Sequence, residues 1–233
     1  MLRSWLSGVD SVPMLVHVWP FKAGEHPGWP SALGPLRVPA GVIKLRPVRL
    51  RDGVSWSRIR LSDRAYLEQW EPSVEVDWIA RHGSASWPPL CSSLRTEARY
   101  GRMLPYVIEL DGRFCGQLTV GNIAHGALRS AWIGYWVSSA VAGQGVATGA
   151  VALALDHCFG PVGLHRVEAT VRPENAASRA VLTKVGFREE GLLRRYLDVD
   201  GGWRDHLLMA ITAEEVQGSV TAELIRSGRA SRA

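Results

Sequence analysis

A mixed α/β domain built on one sheet of about six or seven strands is the fold this sequence predicts. Three observations point there. Short apolar runs with period-2 alternation are interleaved, between residues 42 and 211, with segments of helical period. Asp111-Gly112 separates two of the strand-like runs, a strong hairpin signal. A glycine-rich turn at Val141–Thr148 stands between an apolar strand-like run and an apolar helix-like one.

Residues 1–40 carry prolines at 13, 20, 27, 30, 35 and 39 and no sustained period, which predicts an irregular arm. Met14 within it is an alternative start. Trp5, Trp19 and Trp29 lie in this arm, where they would pack onto the domain or patch local apolar surface. The domain itself is read as residues 41–216. Val42–Val48 is its first strand, with Pro47 marking an edge or end. Arg51–Gln69 holds one or two helices, for which Asp52 and Asp63 are candidate N-caps. A further helix is expected around Ser92–Met103. Tyr106–Leu110 and Phe114–Val120 are strands joined through Asp111-Gly112, and Ala131–Val137 is the fourth strand, where Trp132 and Trp136 alternate with Ile133 and Val137. Thr148–Phe159 is a helix with Val151, Leu155 and Cys158 on one face. Arg166–Val171 alternates as a strand, and Ala176–Val185 is a helix that Gly186 would close in the left-handed conformation. Phe187–Arg194 and Asp205–Ile211 are the last strands. The tail, 217–233, is rich in Ser, Arg and Ala and is expected to fray beyond a short helix.

With 46% hydrophobic and 21% charged residues among 233, the chain can bury a core without staples. Its three cysteines, Cys91, Cys115 and Cys158, lack C-x-x-C spacing and suit a reducing compartment, so a cytoplasmic location is expected. Asp10, Pro13 and His17 interrupt Met1–Phe21, so no signal peptide is read, and no apolar run reaches the ~18–20 residues a membrane helix needs. The formal charge of +5 suits attraction to RNA, acidic proteins or a phosphorylated cofactor, and equally a solvated surface with a basic tail.

Two stretches carry the chemistry. In Val141-Ala142-Gly143-Gln144-Gly145-Val146-Ala147-Thr148, small residues let a ligand approach the backbone, and the following helix start offers unpaired N–H groups that favour a pyrophosphate. The pattern is neither a P-loop nor a dinucleotide fingerprint, and a purely structural turn would read the same way. In Arg172-Pro173-Glu174-Asn175-Ala176-Ala177-Ser178, followed by Gly186-Phe187, Asn175 stands where an N-cap would, and Ser178 one turn into the helix.

Taken together and in this order, the two stretches resemble the GNAT superfamily of acetyltransferases over roughly Val42–Ala213. Ala142 departs from the pattern, standing where a basic residue or Gln is common, which removes one side-chain contact and leaves the backbone cradle. Trp70-Glu71-Pro72, Gly121-Asn122, Ile133-Gly134-Tyr135-Trp136, Tyr196-Leu197, Asp200-Gly201 and Trp203-Arg204-Asp205-His206 further resemble the ribosomal-protein alanine N-acetyltransferases of the RimJ type. The resemblance implies a mostly antiparallel sheet whose fourth strand splays. It also implies acetyl-CoA as cofactor, held by Trp136, Val137, Ser138, Gln144, Gly145, Val146, Ala147, Thr148, Asn175 and Ser178. A backbone N–H near Val137 would polarise the thioester carbonyl, and Ser178 would serve the departing thiol.

The acceptor implied is a protein N-terminal amine, such as alanine on a ribosomal protein, attacked directly in a ternary complex. Removing its proton costs little because its pKa is near ~8, against ~10.4 for lysine. Glu71, Glu168, Asp198 and Asp205 are candidate bases, Glu71 being preferred from its place in Trp70-Glu71-Pro72. Cys115 and Cys158 read as core, and the histidines lack metal spacing, so neither a ping-pong route nor a metal is expected. Two other readings stand beside this one. Glu71, Glu75 and Asp77 would suit a small cationic amine such as a polyamine, amino sugar or antibiotic. Arg46, Arg49, Arg51, Arg58 and Arg60 would suit a silent module that binds CoA or RNA. Direct nucleic-acid binding and membrane attachment are not expected of the enzyme, and the oligomeric state is open.

Overall fold

Apolar alternation and turn chemistry decide most of the elements, and the structure, a computed structural model, describes residues 28–233. Trp5, Trp19, Met14 and the arm to residue 27 lie outside the described residues. The chain runs β1 (Leu33–Val38), β2 (Gly41–Pro47), α1 (Gly53–Ser62), α2 (Arg64–Leu67), α3 (Trp78–His82), α4 (Trp87–Arg99), β3 (Met103–Leu110), β4 (Arg113–Ala124) and β5 (Ser130–Val137). It continues through α5 (Val146–Phe159), β6 (Arg166–Val171), α6 (Ala176–Lys184), β7 (Arg188–Val199), β8 (Gly202–Thr212), α7 (Val220–Arg226) and β9 (Ser231–Arg232). All strands join one sheet in the order β7-β8-β6-β5-β4-β3-β2-β1-β9, antiparallel except where β5 meets β6. This is the mixed, mostly antiparallel sheet flanked by helices that the sequence predicts.

The sheet has nine strands among the described residues rather than six or seven. The two unforeseen strands lie in segments read as arm and tail. In β1 only Leu36 and Val38 point inward around Arg37, too short an alternation to stand out among prolines. β9 is two residues, paired with Leu36 and Arg37, and carries no pattern at all. The tail is docked rather than frayed. Ser219 caps α7 through Ala222 N–H, Val220 and Leu224 are buried one turn apart, and the Asp156 carboxylate accepts from Val220 N–H, Thr221 N–H and Thr221 Oγ.

Turn chemistry holds where it is local. Asp111-Gly112 and Asp200-Gly201 all take positive φ, so both hairpins close with the turn that matches strand twist. At the end of α6, Gly186 (φ 96°) donates to Thr183 O and Phe187 donates to Leu182 O, a two-bond helix stop. Asp52 and Asp63 stand at the N-cap positions of α1 and α2 as expected, but neither side chain bonds the amides of the helix it precedes. Asp52 is buried and accepts from Arg46 Nη1 and Nη2 on β2 and from Arg49 N–H, so it serves that cation and the 3₁₀ turn Leu50–Asp52 rather than α1. Asp63 is engaged far away, at Ser138 and Ser139. The fourth helix begins at Trp87, earlier than expected, because Pro88 and Pro89 fall in the first turn, where no N–H is needed.

Helices α5, α6 and α7 cover one face over a core that includes Ile43, Leu118, Ile133, Val151, Leu155, Leu182 and Leu224. On the other face Val48, Trp56, Trp87, Cys91 and Val107 form a smaller core under α1 and α4.

Candidate active site

The site begins where two parallel strands part. β5 and β6 pair only at Ser130–Trp132 with Arg166–Glu168. Beyond this β5 keeps its partner β4 as far as Val137, and β6 keeps β8, so a wedge opens between β5 and β6. This is the splay expected of the fourth predicted strand. Ser138 N–H is bonded to Cys115 O on the β4 side. Strand N–H groups alternate in direction, so the N–H of Val137 faces the wedge.

At the end of β5 the chain turns through Ser138–Gly145 into α5. Gly143 (φ 74°) and Gly145 (φ 84°) both lie in the left-handed region. A Cβ on Gly143 would meet only open space, whereas one on Gly145 would stand 3.0 Å from Pro39 Cδ. The turn thus presents a bare backbone outward and is wedged against β1's end inward, with Ala40 N–H donating to Gln144 O. The Gln144 side chain folds back to Ala140 O. The first α5 acceptor bond is Gly149 N–H to Gly145 O, so the amides of Val146, Ala147 and Thr148 precede the helix ladder and carry its positive end. Thr148 is buried. An uncovered glycine turn followed by a 14-residue helix fits a pyrophosphate.

Across the wedge, Asn175 Oδ1 accepts from Ser178 N–H at 3.0 Å, so Asn175 is the N-cap of α6. Ser178 Oγ stands 3.0 Å from the hydroxyl of Tyr135, on the stretch of β5 free of β6, a residue that the sequence places in Ile133-Gly134-Tyr135-Trp136 without assigning it a role. The signal was present, since Tyr135 shares its face with Ile133 and Val137. Burial pushes the Tyr135 phenol up to about 12. Trp136 points to the opposite face, where its ring meets Phe114 and the Arg60 guanidinium.

On that face lies a second assembly. The segment 68–81 docks on the β7–β8 hairpin, where Ser73 N–H donates to Asp198 O and Gly201 N–H to Ser73 Oγ, and on the end of β6, where Arg172 donates to Gln69 O with its guanidinium over Trp70. Between segment and hairpin is a cavity of about 300 Å³ lined by Glu68, Glu71, Pro72, Ser73, Val74, Trp78, Arg81 and Asp200. The Glu71 carboxylate accepts from Arg60 and, at 2.6 Å, from Arg81. Arg60 is buried between the rings of Trp78 and Trp136 and donates to His82 Nε2. Burial, with Arg60 and Arg81 nearby, lowers the His82 pKa to about 4. His82 is therefore neutral, its Nδ1–H donating to Trp78 O.

The other base candidates divide. Glu168 is paired with Arg166, and Asp205 accepts Arg195 N–H inside the hairpin. Asp198 does not line the cavity; its backbone O holds Ser73, and its buried Oδ1 has no partner among the described residues. Of the acidic trio weighed for a cationic acceptor, Glu71 is tied to two arginines and Asp77 caps α3. Of the five arginines weighed as an RNA surface, Arg46 and Arg60 are buried, because each serves an internal carboxylate.

Asp63 joins the two assemblies. From the end of α1 it accepts from Ser138 Oγ, Ser139 N–H and Ser139 Oγ at 2.8–2.9 Å, pinning the turn after β5. No spacing rule announces a contact across 75 residues. The three cysteines are all buried, and burial pushes Cys115 and Cys158 up to about 12 and raises Cys91, which keeps them as thiols. Among the described residues no His, Cys, Asp and Glu cluster could hold a metal, and no helix is long and apolar enough to cross a membrane.

Comparison with known proteins agrees with this geometry. Residues 43–188 match the family model of the acetyltransferase (GNAT) domain. The structure of RimJ from Mycobacterium smegmatis in complex with CoA-disulfide is 67% identical, with a TM-score of 0.88, and the likeness covers 89% of this chain and 100% of that one. The [ribosomal protein uS5]-alanine N-acetyltransferase of Escherichia coli is 25% identical over 190 residues, 81% of this chain and 96% of that protein. The probable N-acetyltransferase YjcK of Bacillus subtilis is 43% identical over 101 residues, which is 43% of this chain and 56% of that relative's length.

Proposed function

Because this chain belongs to the GNAT family of acetyltransferases, and is an acetyl-CoA-dependent N-acetyltransferase, we propose that its acceptor is a protein N-terminus beginning with alanine, with ribosomal proteins as the acceptor class. The observation that carries this reading is the acceptor cavity. It lies between the segment 68–81 and the Asp200-Gly201 turn, with Val74 and Trp78 in its lining and two of its carboxylates already neutralised by arginines. Such a mouth suits a chain end with small apolar side chains better than a polycation, which needs free carboxylates.

Bound acetyl-CoA supplies a thioester carbonyl and a thiol leaving group. The amides of Val146, Ala147 and Thr148, with the bare turn at Gly143 and Gly145, would hold the pyrophosphate. Val137 N–H, directed into the wedge, would polarise the carbonyl. Ser178 Oγ would hold a proton for the leaving sulfur. A thiol has a pKa near ~8.5, so a weak acid in the right position is enough. On the acceptor side, Glu71 would take the amine's proton through a water. Each of its oxygens keeps a lone pair beside the arginine it already accepts from.

The test is a competition. Equimolar alanine-starting peptide and polyamine are offered with acetyl-CoA, and products are identified by mass spectrometry. Acetylation confined to the peptide α-amine is the expected result, and preferential acetylation of the polyamine would replace this reading with the small-amine one.

A further inference from the structure

The wedge between β5 and β6 is bridged by Tyr135, whose hydroxyl has one proton and two neighbours on α6. Ser178 Oγ is 3.0 Å away and Ser178 O is 3.3 Å away. The choice between them decides what Ser178 can do. If Tyr135 donates to the carbonyl, the hydroxyl proton of Ser178 is drawn back to the tyrosine oxygen. If Tyr135 donates to Oγ, the proton of Ser178 is free to face the wedge.

We propose that Tyr135 is a positioning residue: it donates to Ser178 Oγ and thereby aims the Ser178 hydroxyl proton at the leaving sulfur. The shorter of the two distances favours this arrangement. The backbone also leaves Ser178 available for it, since Ser178 N–H is taken by Asn175 Oδ1 and α6 is fixed at both ends by its cap and its Gly186 stop. Tyr135 itself is held by its place on β5 opposite Leu118 and by packing on the main core.

Chemistry limits the role to positioning. When the carbon–sulfur bond breaks, its electron pair goes to sulfur, and sulfur takes the Ser178 proton. In the same step the serine oxygen takes up the proton that the amine releases, by way of solvent, so that no free alkoxide forms. Drawing it from Tyr135 would leave a phenolate in a site whose burial already holds that phenol above its usual value, with no charged partner beside it. Tyr135 keeps its proton and fixes the direction of another.

This inference rests on the proposed role of Ser178, and a double-mutant cycle separates the two. Tyr135→Phe keeps the ring and its packing and removes only the hydroxyl. Rates are normalised to the acetyl-CoA-binding fraction measured by calorimetry, so loss of fold cannot imitate loss of positioning. Tyr135→Phe is expected to lower kcat about tenfold, the scale of one hydrogen bond, with the acetyl-CoA KM within about twofold. In the Ser178→Ala background the same change should have no further effect. Ser178→Ala impaired with Tyr135→Phe at wild-type kcat would overturn the role of Tyr135. So would an equal fall caused by Tyr135→Phe with and without Ser178, the mark of a structural residue. Wild-type kcat in Ser178→Ala would overturn the reading of Ser178, and this inference with it.

Discussion

On the α5–α6 side the site is made of backbone: left-handed glycines, helix-start amides and a capped turn within a short stretch of chain. On the α1–α3 side it is made of side chains brought from distant positions, with Arg60, Glu71, Arg81 and His82 interlocked around two tryptophans. On the proposed reading the first kind of construction would bind a group that every reaction shares, the phosphorylated cofactor, and depends on local conformation. The second would shape a mouth for one acceptor and depends on long-range packing. The two fail differently when altered.

The largest effect is expected on the backbone side. Gly145→Trp places a side chain at φ 84° and against Pro39. Strain of ~1–3 kcal/mol and the clash together predict a loss of acetyl-CoA affinity of about 100-fold or more, read by calorimetry. Undiminished affinity would remove the turn from the cofactor site.

Next comes the side-chain assembly. Arg60→Leu leaves His82 Nε2 and a Glu71 oxygen without their donor, while Arg81 still holds the other oxygen. Breaking a buried pair costs ~3–5 kcal/mol, and the partial exposure of Glu71 reduces the expectation to about 2–3 kcal/mol in chemical denaturation. Acetyl-CoA affinity should change little. A large loss of affinity with unchanged stability would erase the distinction between the two sides.

A related effect appears with pH. His82 has a folded pKa of about 4 against 6.5 when free, so the unfolded chain binds the proton more readily. Stability contributed by neutral His82 is present above pH 6.5 and is lost as pH falls from 6.5 towards 4, on the order of 2–3 kcal/mol. Denaturation midpoints across this window should flatten in His82→Gln. An equal slope in the variant would assign the loss to other groups.

The smallest effect should come from the link between the two sides. Asp63→Ala releases Ser138 and Ser139 and loosens the turn without touching its glycines. Acetyl-CoA affinity should fall about three- to tenfold, the worth of one or two charged hydrogen bonds shared with water. No change would mean the turn stands without its brace.

The same contrast explains what could be read before the structure. The local conformation of the α5–α6 side was legible because its signals are local: Gly143 and Gly145 before an apolar helix, Asn175 at a strand-to-helix step, Gly186 at a helix end. Asp111-Gly112 and Asp200-Gly201 marked their hairpins for the same reason. Asp52 and Asp63 misled, since a carboxylate before a helix looks like a cap whatever cation or hydroxyl the fold brings to it. β1 and β9 were hidden because six and two residues carry too little pattern, and the docking of the short tail helix α7 was hidden because its partner Asp156 is distant in sequence. Tyr135 lay in plain sight on its strand face, but its meaning depends on α6 lying across the wedge.

Acetyl transfer from acetyl-CoA to a protein α-amine is the proposed reaction, and an alanine-starting peptide offers that amine alone. The peptide and an α-blocked copy are incubated with the protein and acetyl-CoA, and the modified atom is located by fragmentation mass spectrometry. One acetyl group is expected on the free α-amine, matched by released CoA, and none on the blocked copy. Saturable acetyl-CoA binding with no transfer to the α-amine would contradict it.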